Sequence, residues 1–282
     1  MNSAINRDIE FFTKCGVFFG GFQNQLGWFF FGFGLIFFWI FGMNADLSFL
    51  RYTGNTITVQ GIATDSIETR FSENETPIFE NHYKFTTKEG IEFEEFSYST
   101  GQDIQIGKTI TVEYPEGKPE YSRIVGMKRE IFGTVALFVV IFPIIGLVYI
   151  FSNIKKSLRG IKLLKYGRLT KGKLISKTPT NTRINGQTVY KLTFHFQDAL
   201  GNKFFVSEKT HLLHLLEDTP EKRLLYLQSN PNCATMLDTL PTAPLIDETG
   251  NVKSLSIKLF PILIPLAIIV GHGSYLAIKF IG

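Results

Sequence analysis

Three apolar blocks interrupt an otherwise polar chain and set its organisation. Residues 26–43 read LGWFFFGFGLIFFWIFGM, residues 131–151 read IFGTVALFVVIFPIIGLVYIF, and residues 259–278 read LFPILIPLAIIVGHGSYLAI. None of the blocks contains Asp, Glu, Lys or Arg. Helices of this size reach roughly 27–32 Å, which matches the hydrocarbon core of a bilayer. Helices buried in soluble proteins usually show shorter apolar runs, about 10–14 residues, with polar interruptions. Three membrane-spanning helices are therefore expected. Trp28 and Trp39 lie towards the ends of the first, where indole rings favour the membrane interface. Pro143, Pro261 and Pro265 are tolerable in lipid because neighbouring helices can satisfy the carbonyls they free.

Between the blocks the apolar period falls to two. Tyr190, Leu192, Phe194 and Phe196 alternate with Lys191, Thr193, His195 and Gln197, which predicts a strand with one buried and one wet face. A turn at 198–202 carrying Gly201 then leads to a strand at 203–206. Earlier in the chain, Tyr83 and Phe85 alternate with His82, Lys84 and Thr86. The turn Lys88-Glu89-Gly90 follows, then a strand at 91–96, where Glu94-Glu95 breaks the alternation and predicts a bulge. Further strands are expected at 56–64 and 109–114, and at 169–177 and 223–226, with Pro115 and Pro231 helping to end the last of each set.

The two polar stretches match at a nearly constant offset. Adding 111 takes Gly61 to Gly172, Tyr83 to Phe194, Phe85 to Phe196, Gly90 to Gly201 and Phe93 to Phe204. Adding 112 takes Val112 to Leu224, Tyr114 to Tyr226 and Pro119 to Pro231. Such matching predicts an internal repeat. The expected fold is membrane α+β: three transmembrane helices with two small antiparallel β-sandwich or barrel domains related by duplication. An N-terminal interfacial segment at 1–25 precedes the first span at 26–43. The first β domain (44–130) leads to the second span (131–151), and a basic amphipathic juxtamembrane helix (152–168) leads to the second β domain (169–245). A linker (246–258) joins this to the last span (259–278). Only the second β domain is expected to insert a short helix, at 208–217, capped by Ser207.

The run Gly61…Tyr83-Lys84-Phe85…Gly90…Val112-Glu113-Tyr114-Pro115…Pro119, followed directly by a span, resembles the uncharacterised membrane family catalogued as domain of unknown function 3592. The resemblance covers roughly residues 55–150, and 168–235 more weakly, where no Pro follows Tyr226. It implies the architecture alone, since no activity is established for that family.

Charge gives the architecture a direction. Residues 44–130 hold nine Lys/Arg against 15 Asp/Glu, a net of −6, whereas residues 152–258 hold 17 against eight, a net of +9. Orientation follows the Lys and Arg close to the spans, and Lys155, Lys156, Arg159, Lys162 and Lys165 crowd the end of the second. The expected protein is a multi-pass protein of the cell (inner or plasma) membrane. Its N-terminus is cytoplasmic and retained as an anchor, the first β domain is outside and the second is inside; the alternative keeps both domains on one side, with the second or third block re-entrant. Ile154, Leu158, Ile161 and Leu164 recur at helical spacing beside those five cations, so this helix is suited to lie on an anionic leaflet.

Few residues point to chemistry. Nucleophile elbows, phosphate loops and paired cysteine ligands are missing from the sequence, and Cys15 and Cys233 stand apart. Glu208, His211 and His214 share one face of the expected short helix, too few ligands for a metal centre. Glu92, Glu94 and Glu95 read as solubility charge on an exposed strand edge. His272 is the single histidine within a span and a weak candidate for a polar intramembrane role. Ala267, Gly271 and Ser274 form a stripe of small side chains suited to packing on the second span or on a second copy of the chain. The expectation is a non-enzymatic membrane protein that presents small β domains to a protein or envelope component, without cofactor, catalytic residue or metal. The alternative is an accessory subunit of a transport or channel complex. Expected partners are the lipid bilayer, anionic lipid at the basic helix, and a protein or a second copy of the chain. Nucleic acid is not expected.

Overall fold

The computed structural model describes residues 5–211, 213, 221–247, 250–253 and 259–281. The chain divides into two compact units, one of Phe33–Pro143 and one of Met1–Gly32 with Ile144–Gly282. Helices α1 (Phe11–Phe19) and α2 (Phe22–Phe37) follow one another around Gly20-Gly21, and α2 runs on into a π-helix at Phe38–Gly42. A single turn, α3 (Ser48–Arg51), precedes the first sheet. The second apolar block starts as a 3₁₀ helix at Thr134–Val140 and continues as α4 (Ile141–Tyr166), and the last forms α5 (Phe260–Phe280). The stretches Phe22–Gly42, Thr134–Tyr166 and Phe260–Phe280 are long and apolar enough to cross a membrane, the signature of a membrane protein.

The first unit holds β1 (Thr56–Glu73), β2 (Thr76–Thr86), β3 (Glu92–Thr100), β4 (Thr109–Pro115) and β5 (Arg123–Ile124), an antiparallel sheet in the order β3-β2-β1-β4-β5. The second unit holds β6 (Arg168–Ile184), β7 (Gln187–Gln197), β8 (Lys203–Thr210), β9 (Glu221–Leu227) and β10 (Asn230–Met236) in the order β10-β9-β6-β7-β8. Read from the other edge, this is the same order. The register agrees too. Ala63 faces Tyr83 as Leu174 faces Phe194, and Val59 faces Val112 as Thr170 faces Leu224. The first strand of each sheet slips register at matching places, Ala63/Asp65 and Glu68/Ser72 in one, Leu174/Ser176 and Pro179/Arg183 in the other. Gly61 and Gly172 explain why these strands need a glycine. A Cβ at Gly61 would stand 2.8 Å from the Lys84 carbonyl oxygen, and one at Gly172 would stand 2.6 Å from Leu224 Cδ2.

Each sheet curls around its own aromatic core. Tyr83, Phe85, Ile110, Val112, Tyr114 and Ile124 fill the first, and Leu192, Phe194, Phe196, Leu224, Tyr226 and Met236 fill the second. Their buried positions alternate along the strands, as period two requires. β9 departs furthest from this, since Leu224, Leu225, Tyr226 and Leu227 are all buried. Leu225 and Leu227 face a second cluster with Ile9, Val17, Leu163, Leu164, Leu237, Leu240, Ile246 and Val252. Burial on both faces accounts for the unbroken apolar run. In β4 the corresponding outward residue is Glu113, held 2.7 Å from Arg123 Nε.

Several expectations are corrected here. The basic helix at 152–168 is the second half of α4. Leu163 and Leu164 are wholly buried under β9 and Ile161 is partly so, while Leu158 is 54% exposed. Protein rather than a leaflet covers Leu163 and Leu164. The N-terminal segment is partly core, since Ile9 and Val17 join the same cluster. The Arg7 side chain donates from Nη1 to the Leu164 and Gly167 carbonyls at 3.0 and 2.6 Å and so caps the end of α4. Burial lowers the Arg7 pKa. Glu208–Thr210 continue β8 as strand, not helix, while residues 212 and 214–217 of the expected helix lie outside the described residues. Pro231 is the second residue of the edge strand β10 instead of ending a segment, and an edge strand tolerates a proline. The linker at 246–258 includes a small hairpin of β11 (Leu245–Ile246) and β12 (Val252–Lys253), with Ile246 and Val252 in the core.

Candidate functional site: an open seam in the second sheet

The two sheets differ where their edge strands meet. In the first, the Ser97 hydroxyl accepts the Ile124 N–H at 3.0 Å, and Tyr98 and Lys128 exchange backbone hydrogen bonds of 2.7 and 2.9 Å. The seam is shut. At the matching positions of the second sheet stand Glu208 and Lys209. β8 and β10 approach each other, but no backbone bridge joins them among the described residues. Glu208 turns towards β10, where its carboxylate accepts hydrogen bonds from the Thr235 and Thr239 hydroxyls at 3.3 and 3.5 Å.

Over this seam lies a cleft of about 1050 Å³, walled by α4, the tip of the β6–β7 arm, β8, β10 and the α1–α2 junction. Small-molecule sites commonly occupy roughly 300–1,000 Å³, so the space suffices for a sizeable ligand. Its charged lining is Lys156 and Arg159 from α4, Arg183 from the arm, and Glu208, Lys209 and His211 from the end of β8. The Arg159 guanidinium is already committed, donating to the Ala234 carbonyl at 2.8 Å and so tying α4 to β10. Lys156, Arg183 and Lys209 have no ion-pair partner among the described residues. Lys209 also sits directly opposite Lys191 on β7, and like charges in that position repel. The matching pair in the first sheet is Glu80 and Tyr98, where the Tyr98 hydroxyl donates to the Glu80 carboxylate at 2.8 Å. Burial and that carboxylate raise the Tyr98 pKa. The β1–β2 arm is likewise pinned, by a 2.7 Å ion pair of Lys128 with Glu73. Hydrogen bonds from Lys128 and Thr100 lower the Glu73 pKa. The second sheet replaces a closed, charge-paired seam with an open cationic one.

The expected site residues distribute unevenly. Of the five cations at the end of the second span, Lys156 and Arg159 line the cleft. Lys155 and Lys162 are exposed outside it, and Lys165 stands over the Tyr166 ring. Ala267, Gly271 and Ser274 are exposed, and a Cβ on Gly271 would meet nothing within 4 Å. Within this unit α5 packs through another face: Ile268 lies against Gly32, and Gln25 Nε2 donates to the Pro261 carbonyl at 2.9 Å. His272 is on that packing face, its Nε2 3.0 Å from the Gly32 carbonyl oxygen. The stripe therefore does not pack on the second span. A close helix contact that sequence reasoning missed is Gly27 of α2 against Gly146 of α4, where a Cβ on Gly27 would stand 2.8 Å from Tyr149 Cβ. Glu208 and His211 are brought to the cleft, and His214 lies outside the described residues. No group of three or more His, Cys, Asp or Glu that could hold a metal ion occurs among the described residues. Glu94 pairs with Lys84 at 3.2 Å and Glu95 with Arg129 at 2.8 Å.

No protein-family model matches the chain, and no curated protein matches it.

Proposed function

We propose that the chain is a non-enzymatic membrane anchor whose β domains, related by duplication, bind partners, and that the seam cleft of the second domain is the principal binding surface. The observation that carries this reading is the cleft itself, with three cations from three separate elements and no charge partner among the described residues. Shared strand order, matching bulges and matching glycines support the duplication. Kinship with the family of domain of unknown function 3592 belongs to the same reading and adds no activity to it. An accessory role in a transport or channel complex is the second reading, favoured by the uncovered Ala267, Gly271 and Ser274 face, which leaves room for a helix of another subunit or a second copy.

Cross-linking from the cleft tests the choice. With Phe205, which lines the cleft and is 58% exposed, replaced by a photoreactive phenylalanine analogue, illumination of intact membranes should yield an adduct. Neutralising Lys156 and Lys209 together should remove it. An absent adduct at Phe205, with capture of a polytopic protein from the same probe at Ser274, would transfer the function to the accessory reading.

The orientation in this reading has the N-terminus and the basic domain in the cytoplasm and the acidic domain outside. In a background lacking Cys15 and Cys233, Asp103→Cys should react with an impermeant thiol reagent on intact cells and Ser176→Cys only after lysis. Both positions are exposed. Equal labelling of the two in intact cells would sink the orientation.

A further inference from the structure

We infer that the seam cleft holds the phosphate-bearing headgroup of an anionic lipid, an inference that rests on the cleft being the binding surface. Three features converge on this ligand. The first is charge. Lys156, Arg183 and Lys209 line the cleft from α4, β6 and β8, while Glu208, the one carboxylate in the described lining, accepts hydrogen bonds from Thr235 and Thr239. A phosphate group offers several acceptor oxygens to separate donors, and the flat fork of an arginine beside point-charge lysines suits it.

The second is position. The cleft reaches Gly20, Gly21 and Phe22, where the first apolar stretch begins, and Asn153 to Gly160 of α4, directly after the apolar run that ends at Phe151. α4 thus turns from apolar to polar at the cleft, where the first span also begins, and that is the depth of lipid headgroups beside a spanning helix. The third is polarity. Val17, Phe22, Phe205 and Leu240 share the lining with the cations, and Phe22 is 78% exposed. A free anion has no use for such a wall, whereas the glycerol and upper acyl carbons of a lipid do. The basic part of α4 meets lipid through this pocket, since Leu163 and Leu164 of its apolar side are already buried against the protein.

Native mass spectrometry of the intact chain in neutral detergent tests the inference with phosphatidylglycerol, phosphatidylcholine and inorganic phosphate as probes. One phosphatidylglycerol should be retained per chain, in clear preference to phosphatidylcholine. The triple variant Lys156→Gln, Arg183→Gln, Lys209→Gln should retain it roughly 100-fold more weakly, as expected when three cations near an anionic lipid are lost. The control Lys156→Arg, Lys209→Arg should bind like the parent, which separates lost charge from lost folding. Equal retention of the two lipids, or phosphatidylglycerol retention unchanged in the triple variant, overturns the inference. Inorganic phosphate retained as well as the lipid, and lost in the triple variant, assigns the cleft to free phosphate and also overturns it. If lipid retention ignores the variants while the Phe205 adduct still depends on Lys156 and Lys209, the lipid falls and the binding surface stands. If neither depends on them, both fall.

Discussion

Gly146→Leu should be the most damaging single change among the helices, lowering the melting temperature of the chain in mild detergent by many degrees, whereas Gly271→Leu should leave it where it is. A Cβ at Gly146 would run into the Phe31 backbone nitrogen and the Gly27 carbonyl oxygen. Neither can yield as the end of a flexible side chain can. Within lipid there is little hydrophobic gain from helix association, so close backbone approach and dispersion must hold α2 against α4. Overpacking usually costs about 1–3 kcal/mol, and a leucine wedged between two backbones belongs at or above that range. Gly271 faces open space, so the same substitution there meets no neighbour in the chain. Equal melting of the two variants would show that the Gly27–Gly146 contact does not hold the helices together.

The second large effect belongs to the β cores. Phe85→Ala and Phe196→Ala should each destabilise the unit that contains it by about 3–5 kcal/mol, as truncation of a buried phenylalanine does. Phe85 is 3% and Phe196 1% exposed, and each ring lies against the tyrosine of the fourth strand of its sheet, Tyr114 at 5.7 Å and Tyr226 at 5.3 Å between centroids. Because each core is built from its own sheet, the damage should stay local. Hydrogen exchange on the full chain should quicken across 168–236 in Phe196→Ala and across 56–124 in Phe85→Ala. Exchange that quickens equally in both regions for either variant would mean that the two cores melt as one.

Much of this architecture is legible in the sequence because its strongest signals are local. The three apolar blocks need only length and the absence of charge, and the strands around Tyr83 and Phe194 need only alternation. Even the register follows, since the offset of 111 pairs residues that occupy matching places in their sheets. The arms are longer than expected, with β1 reaching Glu73 and β6 reaching Ile184. Past the bulges both faces are wet and alternation no longer marks a strand. Leu224-Leu225-Tyr226-Leu227 did carry a sign of burial on both faces, and with it a hint that something must cover β9. What covers it, the inner half of α4 and the N-terminal segment, lies about 60 and 210 residues away in sequence and leaves no local pattern. The cleft was hidden for the same reason, because Lys156, Arg183 and Lys209 come to line one cleft only when the arm, the helix and β8 are folded together. Gly27 and Gly146 look like any other glycines of a span until the two helices meet.

The shut seam of the first sheet also decides how that domain can be approached by other chains. A strand edge with unpaired N–H and C=O groups is a template for another strand, whether a partner peptide or a misfolded neighbour. Here Tyr98 spends its edge hydrogen bonds on Lys128, and the outer edge strand β5 is only two residues long. On the remaining length of β3, Glu94 and Glu95 are paired with Lys84 and Arg129, and the exposed Glu92 carboxylate discourages β-addition. This domain is thereby guarded against edge-to-edge aggregation, and a ligand of it has to be read through side chains rather than joined to it as an extra strand.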